Sequence, residues 1–273
     1  MKSFSQEIRT RQAAMLPAIA LLIAALSSPA ALADLIDFED LSLGQIVDSE
    51  YNSIGVTIAV NNADRGPNNS ESFADIAPDV DIGVIFDSSN PTGGDGDLTT
   101  PASGGNLAGV SLGNILIIEE NLTDTNGDGF IDPPNPDDEG SRPAGTIFFM
   151  FDDAISSFGF DLIDIEVAEA SLGWFAAFFE NGTLVGTVPF TDLDSPAPNS
   201  TGPVVFGNNT ANRIDPILAF DFGVDSFDEV QIRLGGSGGI DNIIFEPVPE
   251  PATLALMGMG LIGVARTARR RKS

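Results

Sequence analysis

Apolar residues recur along the chain in short runs, and clusters of Gly, Pro, Asn, Asp and Ser separate these runs. Several runs alternate apolar with polar residues, which is the period of a β-strand with one buried face. Between the two ends of the chain, no run of comparable length has the period of a helix. The pattern predicts about eleven strands, at 35–38, 56–60, 80–86, 114–118, 146–151, 157–165, 173–180, 184–190, 219–222, 229–234 and 240–245.

A tight hairpin is predicted where Asn181-Gly182 separates two strand-like runs. Both central residues of a type I′ turn need positive φ, and Asn-Gly tolerates this best. The strand predicted at 229–234 alternates apolar residues with Gln231 and Arg233. One face of this strand is therefore expected to be buried and the other to be wet.

Short strands joined by long loops are typical of an all-β fold, and we expect a two-sheet antiparallel β-sandwich of jelly-roll type. A parallel β-helix would need a repeat of fixed length, which the sequence lacks. The loops predicted at 61–79, 87–112, 119–145 and 191–218 are longer than most connections in compact domains. Loops of this length are usually functional, tied by a metal or disordered.

The start of the chain has the three parts of a secretory signal peptide. Basic residues precede an apolar segment at 13–26, and the tripeptide at 31–33 has the small-x-small pattern that signal peptidase cleaves. A first transmembrane helix is the alternative, but Pro17 interrupts the apolar run and no second span follows. We therefore expect a signal peptide with its helix at 1–33 and a β-sandwich domain at 34–247.

The net charge of the chain is −28, and its basic residues are concentrated at the two ends. Residues 34–250 carry 39 acidic side chains against four arginines. Such a surface attracts cations and repels anionic lipids and nucleic acid, so nucleic-acid binding is excluded. The chain has no Cys and no His, which excludes disulfide bonds and the usual zinc, copper and haem ligands. Oxygen is the ligand chemistry that remains.

The stretch DTNGDGFID, at 124–132, has the spacing of a calcium loop of the EF-hand type. Oxygen atoms at alternate residues converge because the chain curls around the ion, and Gly129 permits the sharp bend. The stretch resembles the loops of dockerin modules and of thrombospondin-type calcium repeats. The candidate calcium ligands are Asp124, Asn126, Asp128, Phe130 through its carbonyl, Asp132, Asn135 and Asp137.

The end of this loop departs from the EF-hand pattern. Asn135 stands at the position of the bidentate Glu, and Pro133 and Pro134 prevent the usual exiting helix. A solvated acidic turn without a metal is the alternative, and magnesium fits a wide all-protein oxygen cage poorly. The remaining choices for the last ligand are Asp137, Asp138 and Glu139.

Two further acidic groupings offer a second cation site or a sugar-binding surface, although chance alone produces such groupings among 39 acids. They are Asp87, Asp95 and Asp97 in a Gly-rich bend, and Asp161, Asp164 and Glu166 at a strand end. A glycosidase pair needs two carboxyls at a definite distance, which spacing along the chain does not show. Trp174 stands among three Phe residues, and an aromatic cluster beside a hairpin predicts core packing rather than a sugar platform.

The C-terminal end combines features that a core helix does not explain. The tail contains, in order, Pro249, Glu250 and Pro251, the apolar segment 253–265, and the cations Arg266, Arg269, Arg270, Arg271 and Lys272. A helix of 13 residues is about 20 Å long, which is short of the roughly 30 Å hydrocarbon core. We therefore expect a short apolar helix that inserts transiently into the membrane, with its basic end on the cytoplasmic side.

This order of Pro-Glu-Pro, short apolar helix and Arg-rich end resembles the PEP-CTERM sorting signal of bacteria that export extracellular polysaccharide. The resemblance covers 248–273 and implies cleavage near Pro-Glu-Pro by an exosortase, an intramembrane cysteine-dependent transpeptidase. It also implies release or transfer to the cell surface or matrix. The body is similar to the acidic all-β domains found ahead of such tails, through DFEDL near its start and GGIDNIIF at its end.

We expect an exported, exosortase-processed protein that works at the cell surface or in the extracellular matrix of a biofilm. Its expected role is structural or adhesive, with bound calcium. The alternative is a carbohydrate-binding module for extracellular polysaccharide. A polysaccharide hydrolase or lyase is the third hypothesis, and no catalytic residue is assigned.

Overall fold

The computed structural model describes residues 33–63, 83–121, 123–170, 175–193 and 202–248. The predicted signal peptide, the predicted sorting tail and the helices expected in both lie outside these ranges. Among the residues described, no helix is long and apolar enough to span a bilayer. Ala33–Pro247 forms one compact unit with its own apolar core.

Ten strands are present in the described ranges, and every ladder between them is antiparallel. The strands are β1 (Asp34–Ile36), β2 (Val56–Asn62), β3 (Gly83–Asp87), β4 (Asn114–Ile118), β5 (Gly145–Ile163), β6 (Phe175–Glu180), β7 (Thr183–Pro189), β8 (Ala211–Leu218), β9 (Phe227–Leu234) and β10 (Gly239–Pro247). The helices are α1 (Val167–Ala170), α2 (Phe190–Leu193) and three short 3₁₀ helices (Asn52–Ile54, Gly96–Leu98 and Ala219–Phe222). The all-β prediction is confirmed.

One strand of 19 residues, β5, replaces two separate strands predicted for this region. Its N-terminal half pairs with β2 and β9, and its C-terminal half pairs with β8 and β10. The register of the β9 ladder shifts between Met150 and Ile155, where the strand turns a corner. The ring centroids of Phe149 and Phe158 lie 5.3 Å apart, although nine residues of straight strand would span about 30 Å. β5 therefore folds back and belongs to two facing layers.

Layer one has the strand order β7-β6-β9-β5-β2, and layer two has the order β8-β5-β10-β4-β3. β1 extends layer two along β10, next to β4. The predicted two-sheet sandwich is thus one continuous antiparallel sheet that folds over on itself at β5.

Two apolar cores hold this arrangement together. The larger core lies between the layers and contains buried Phe rings from β5, β6, β9 and β10. The smaller core lies on the outer face of β3 and β4, where Leu98, Leu107 and Ile131 from two long loops pack against the strands. Both faces of β3 and β4 are therefore buried, and the loops at 88–113 and 119–144 are held against layer two.

The predicted hairpin is confirmed. β6 ends at Glu180, β7 begins at Thr183, and Asn181 and Gly182 between them have φ of 50° and 71°. Both values are in the left-handed region that a type I′ turn requires. The Asp228 carboxylate accepts a hydrogen bond from the Asn181 N–H at 2.9 Å and ties the turn to β9.

Two predictions about strands are wrong. Residues 219–222 form a 3₁₀ helix, and the strand of this region is β8, whose Asn, Arg, Asp and Pro residues obscure its apolar alternation. The face of β9 that was predicted to be wet is buried: Gln231 is 4% exposed and Arg233 is 5% exposed. Gln231 lies between Phe148 and Ala177 on the neighbouring strands, and both of these are buried. Phe178 packs in the core as predicted for its aromatic cluster, whereas Trp174 lies outside the described residues.

Phe158→Ala is expected to lower the free energy of unfolding by about 3–5 kcal/mol, because it removes a buried ring where the two halves of β5 meet. Phe220→Ala is the matched control. The Phe220 side chain is 83% exposed, and surface substitutions usually change stability by less than about 0.5 kcal/mol. Denaturant unfolding of both variants measures the difference, and equal losses would contradict the corner in β5.

Candidate functional site

The predicted calcium loop is held against layer two by backbone contacts. Glu119, just after β4, forms a bridge with Asp138 near the end of the loop. In the middle of the loop, the Ile131 N–H donates to the Gly44 carbonyl at 2.9 Å, and the Ile131 side chain packs in the smaller core. These contacts hold the acidic residues of the loop at one edge of the sheet.

The first half of the loop is curled by its own side chains. The Asp124 carboxylate accepts hydrogen bonds from the Gly127 N–H at 2.7 Å and the Gly129 N–H at 3.1 Å. Both glycines have the positive φ that such a bend needs. Asn126 and Asp128 likewise accept hydrogen bonds, at 2.9 and 3.1 Å, from backbone N–H groups two residues further on. The chain therefore curls where the calcium spacing predicts it.

The charge of Asp124 is fixed by these bonds. Desolvation alone would raise the pKa of Asp124, but backbone N–H donors outweigh it and hold the pKa of this carboxyl below its ordinary value. Asp124 is therefore ionised at neutral pH. A cation at this loop would compete with the backbone for the Asp124 oxygens.

The second half of the loop lines a cleft of about 250 Å³. Asp132, Asn135 and Asp137, three of the predicted ligands, share this cleft with Glu119. One oxygen of Asp132 accepts hydrogen bonds from the Thr125 N–H at 3.0 Å and from the Thr125 hydroxyl at 2.7 Å. The cleft is therefore walled by carboxyl and amide groups, which are the ligands that calcium prefers.

The seven predicted ligands fall into two groups rather than one shell. Three belong to the curl and three to the cleft, and Phe130 lies between them in a bridge with Gln45. Within the described ranges, no group of three or more acidic side chains converges closely enough to hold a metal ion. Calcium binding stays a prediction.

Two carboxyls whose contact the sequence does not predict, the half-buried Asp95 and the buried Asp138, join three loops beside the cleft. The Asp138 N–H donates to Asp95 Oδ2 at 3.1 Å, and the Asp138 carboxylate accepts a hydrogen bond from the Gly238 N–H at 2.6 Å. Burial raises the pKa of Asp95 to about 8, helped by the charge of Asp138 and by a side-chain hydrogen bond to it. Burial raises the pKa of Asp138 too, so at neutral pH the two carboxyls hold a proton as a pair.

Asp164 lies close to the same pair. Burial raises the pKa of Asp164 to about 7, and the charges of Asp97 and Asp138 add to this effect although the Asn209 N–H bonds its carboxylate. Asp97 from one weaker acidic grouping and Asp164 from the other are thus brought to one region of the domain, whereas Asp161 lies elsewhere. The sequence could not reveal this, because the contact depends on how separate loops pack together.

A second acidic row crosses the outer face of layer two. Asp241 on β10 lies opposite Asp161 on β5, which lies opposite Arg213 on β8. Arg213 holds Asp161 through two hydrogen bonds of 2.8 Å, and the Asn242 amide donates to Asp161 at 3.0 Å and to Asp241 at 2.7 Å. Burial raises the pKa of Asp241 to about 8, and the charges of Asp161 and of two acids after β1 add to this effect. The DFEDL and GGIDNIIF stretches meet here because β1 pairs with β10.

Stability is expected to fall as the pH rises from about 6 to 9. The pKa values of Asp95, Asp164 and Asp241 in the folded domain lie above their ordinary values. The folded state therefore binds these protons more tightly than the unfolded chain does, and this stabilisation is lost as the pH rises through the folded pKa values. Melting temperatures across this range measure the effect.

Asp241→Asn is expected to reduce this pH dependence, because it removes one of the three titrating groups. Asp225→Asn is the matched control, since Asp225 is exposed. A melting temperature that is constant from pH 6 to 9, or an equal change in both variants, would contradict the assignment.

The residues predicted as the sorting motif lie outside the described ranges. They are Pro249, Glu250, Pro251, Arg269, Arg270 and Arg271. No curated protein and no solved structure matches the chain. The PEP-CTERM protein-sorting motif matches residues 247–272, which include all six. The chain therefore carries a PEP-CTERM sorting signal, which supports export and targeting to the cell surface through an exosortase.

Proposed function

We propose that the β domain is a structural or adhesive component of the cell surface or extracellular matrix, and that its acidic loop binds calcium. The observation that supports this proposal best is the curl at 124–130 beside a cleft that holds three further predicted ligands and Glu119. The curl supplies ionised oxygens in the order of an EF-hand loop, and the cleft supplies oxygens for the remaining positions.

Cation binding would rearrange this loop locally. Calcium takes six to eight oxygen ligands, so the Asp124 and Asp128 carboxylates would have to exchange some of their backbone hydrogen bonds for the ion. The exposed part of the loop can make this change, because the bridge between Glu119 and Asp138 holds its two ends. The surplus of acidic over basic side chains would raise the local cation concentration and favour binding.

The setting of the domain gives calcium a structural use. The chain has no cysteine and therefore no disulfide bond to stabilise it outside the cell. An ion that binds only the folded domain stabilises it by mass action. Calcium outside the cell would then offset the repulsion among the carboxylates and stiffen the domain where it works.

The tail is proposed to act before the domain does. Its apolar segment would enter the membrane transiently, and cleavage near Pro-Glu-Pro would release the domain or transfer it to the surface or matrix. No catalytic step is assigned to the β domain. Two carboxyls on layer two whose pKa values burial raises, Asp161 and Asp241, are both 0% exposed.

Calcium is expected to raise the melting temperature of residues 33–247 by several degrees relative to chelator, by preferential binding to the folded state. Asp128→Ala should remove most of this rise, because it deletes a carboxylate of the curl. Asp225→Ala, which removes an exposed acid elsewhere, should retain it. Calorimetric melts of the three proteins test the proposal, and identical curves with and without calcium would reject it.

A carbohydrate-binding role is the second candidate, and one observation favours it. Phe220 is 83% exposed, at the 3₁₀ helix between β8 and β9. A large exposed aromatic ring offers an apolar face on which a sugar ring can stack. The matrix polysaccharide is the ligand expected under this hypothesis.

Phe220→Ala is expected to abolish retention on extracellular polysaccharide if this second role is correct, because the stacking face is lost. Affinity electrophoresis through polysaccharide gels gives the measurement, with Leu218→Ala as the control for a neighbouring exposed apolar side chain. Equal migration of the parent and the Phe220 variant at every polysaccharide concentration would remove the carbohydrate role.

A further inference from the structure

β7 ends layer one on one side, and its outer edge has no hydrogen-bonding partner in the part of the chain that the structure describes. It pairs with β6 on one side and with no other strand. None of its seven residues is buried, and Leu184 is 48% exposed. An edge strand of this kind presents unpaired N–H and C=O groups that can template pairing with another chain.

Other edges of the folded sheet are closed from within the chain. At β3, the Val47 N–H donates to the Gly83 carbonyl at 2.8 Å. At β8, the Leu107 N–H donates to the Ala211 carbonyl at 3.0 Å, and Pro216 removes a donor from the strand. Among the described strands, β2 and β7 end layer one and each pairs on one side only. Four of the seven residues of β2 are buried, whereas none of the residues of β7 is.

The side chains of β7 add no charge repulsion between two copies at this edge. Thr183–Pro189 contains no charged side chain, although the chain carries a net charge of −28. Exposed edge strands are usually blunted by charged residues. β7 has two irregularities, a shift of register opposite Phe178 and Phe179 and a proline, Pro189, at its end. They shorten the regular part of the strand but leave its outer edge open to pairing.

We propose that the outer edge of β7 pairs antiparallel with β7 of a second copy of this chain, so that layer one continues across a two-fold axis. A self-complementary strand satisfies the isologous contact that a two-fold dimer requires. Glu180 and Asp192 flank the strand, so like charges remain at both ends of the pairing and salt strengthens it by screening. This interface goes beyond the proposed structural and calcium-binding role, and it forms without calcium.

The register shift and the short strand make the pairing weak. Seven residues span about 24 Å, and one added strand pair buries less than the roughly 1,200 Å² of a standard stable interface. Association is therefore expected at the high local concentration of a surface or matrix.

Single-cysteine variants test the pairing directly, because the chain has no cysteine of its own. Residues that face each other across an antiparallel pair have Cβ atoms about 4.5–5.5 Å apart, close to the separation that a disulfide bond needs. Thr183, Leu184, Thr187 and Val188 are replaced by Cys one at a time in residues 33–247. Thr57→Cys on β2, the opposite edge of layer one, is the matched control.

Mild oxidation should give at least about fivefold more covalent dimer for one or more β7 variants than for the Thr57 control, because only paired edges hold the sulfurs within bonding reach. The yield should rise with protein concentration. Equal yields at the two edges, or a higher yield at β2, would overturn the proposal.

Sedimentation velocity without cysteine gives the second readout, in chelator and at low and high salt. The sedimentation coefficient of the parent should rise with concentration, more strongly at high salt. Leu184→Lys with Thr187→Lys should abolish the rise, and Thr57→Lys should keep it. A parent that stays monomeric throughout would overturn the pairing, whereas failure of the calcium melts would leave this result unchanged.

Discussion

The corner in β5 is the constraint on which the rest of the domain depends. One strand supplies the centre of both layers, so the layers cannot slide or separate without breaking its ladders to β2, β8, β9 and β10. The contact between Phe149 and Phe158 across the core holds the two halves at a fixed angle. Because the sheet is continuous, register errors in one layer would be carried into the other.

Electrostatics divides the domain into two regimes. The exposed Asp124 carboxylate is stabilised as an anion by backbone donors. The half-buried Asp95 and the buried Asp241 instead have raised pKa values, because burial and neighbouring acids penalise a further negative charge. Because the domain has few basic side chains, some of its carboxyls are neutralised by protons and not by salt bridges. Salt bridges do form between Arg213 and Asp161 and between Arg142 and Glu166.

The sequence predicted the elements that local chemistry controls. The Asn181-Gly182 turn followed from its need for positive φ, and the curl around Asp124 followed from oxygen spacing and glycine positions. It could not predict the pairing of Asp95 with Asp138, because that contact depends on how two loops pack over β3 and β4. β8 was missed because an edge strand tolerates polar residues and Pro216, which weaken the period-two pattern.

The position of β10 links folding to the order in which the chain leaves the cell. β10 is the last of the described strands in sequence, yet it lies in the interior of layer two between β5 and β1. The earliest strand to emerge, β1, has no ladder until the final one arrives. The sandwich therefore closes only when the chain has crossed as far as Pro247, which is also the first residue of the sorting motif. The strand that completes layer two and the sorting motif therefore meet at one residue, Pro247.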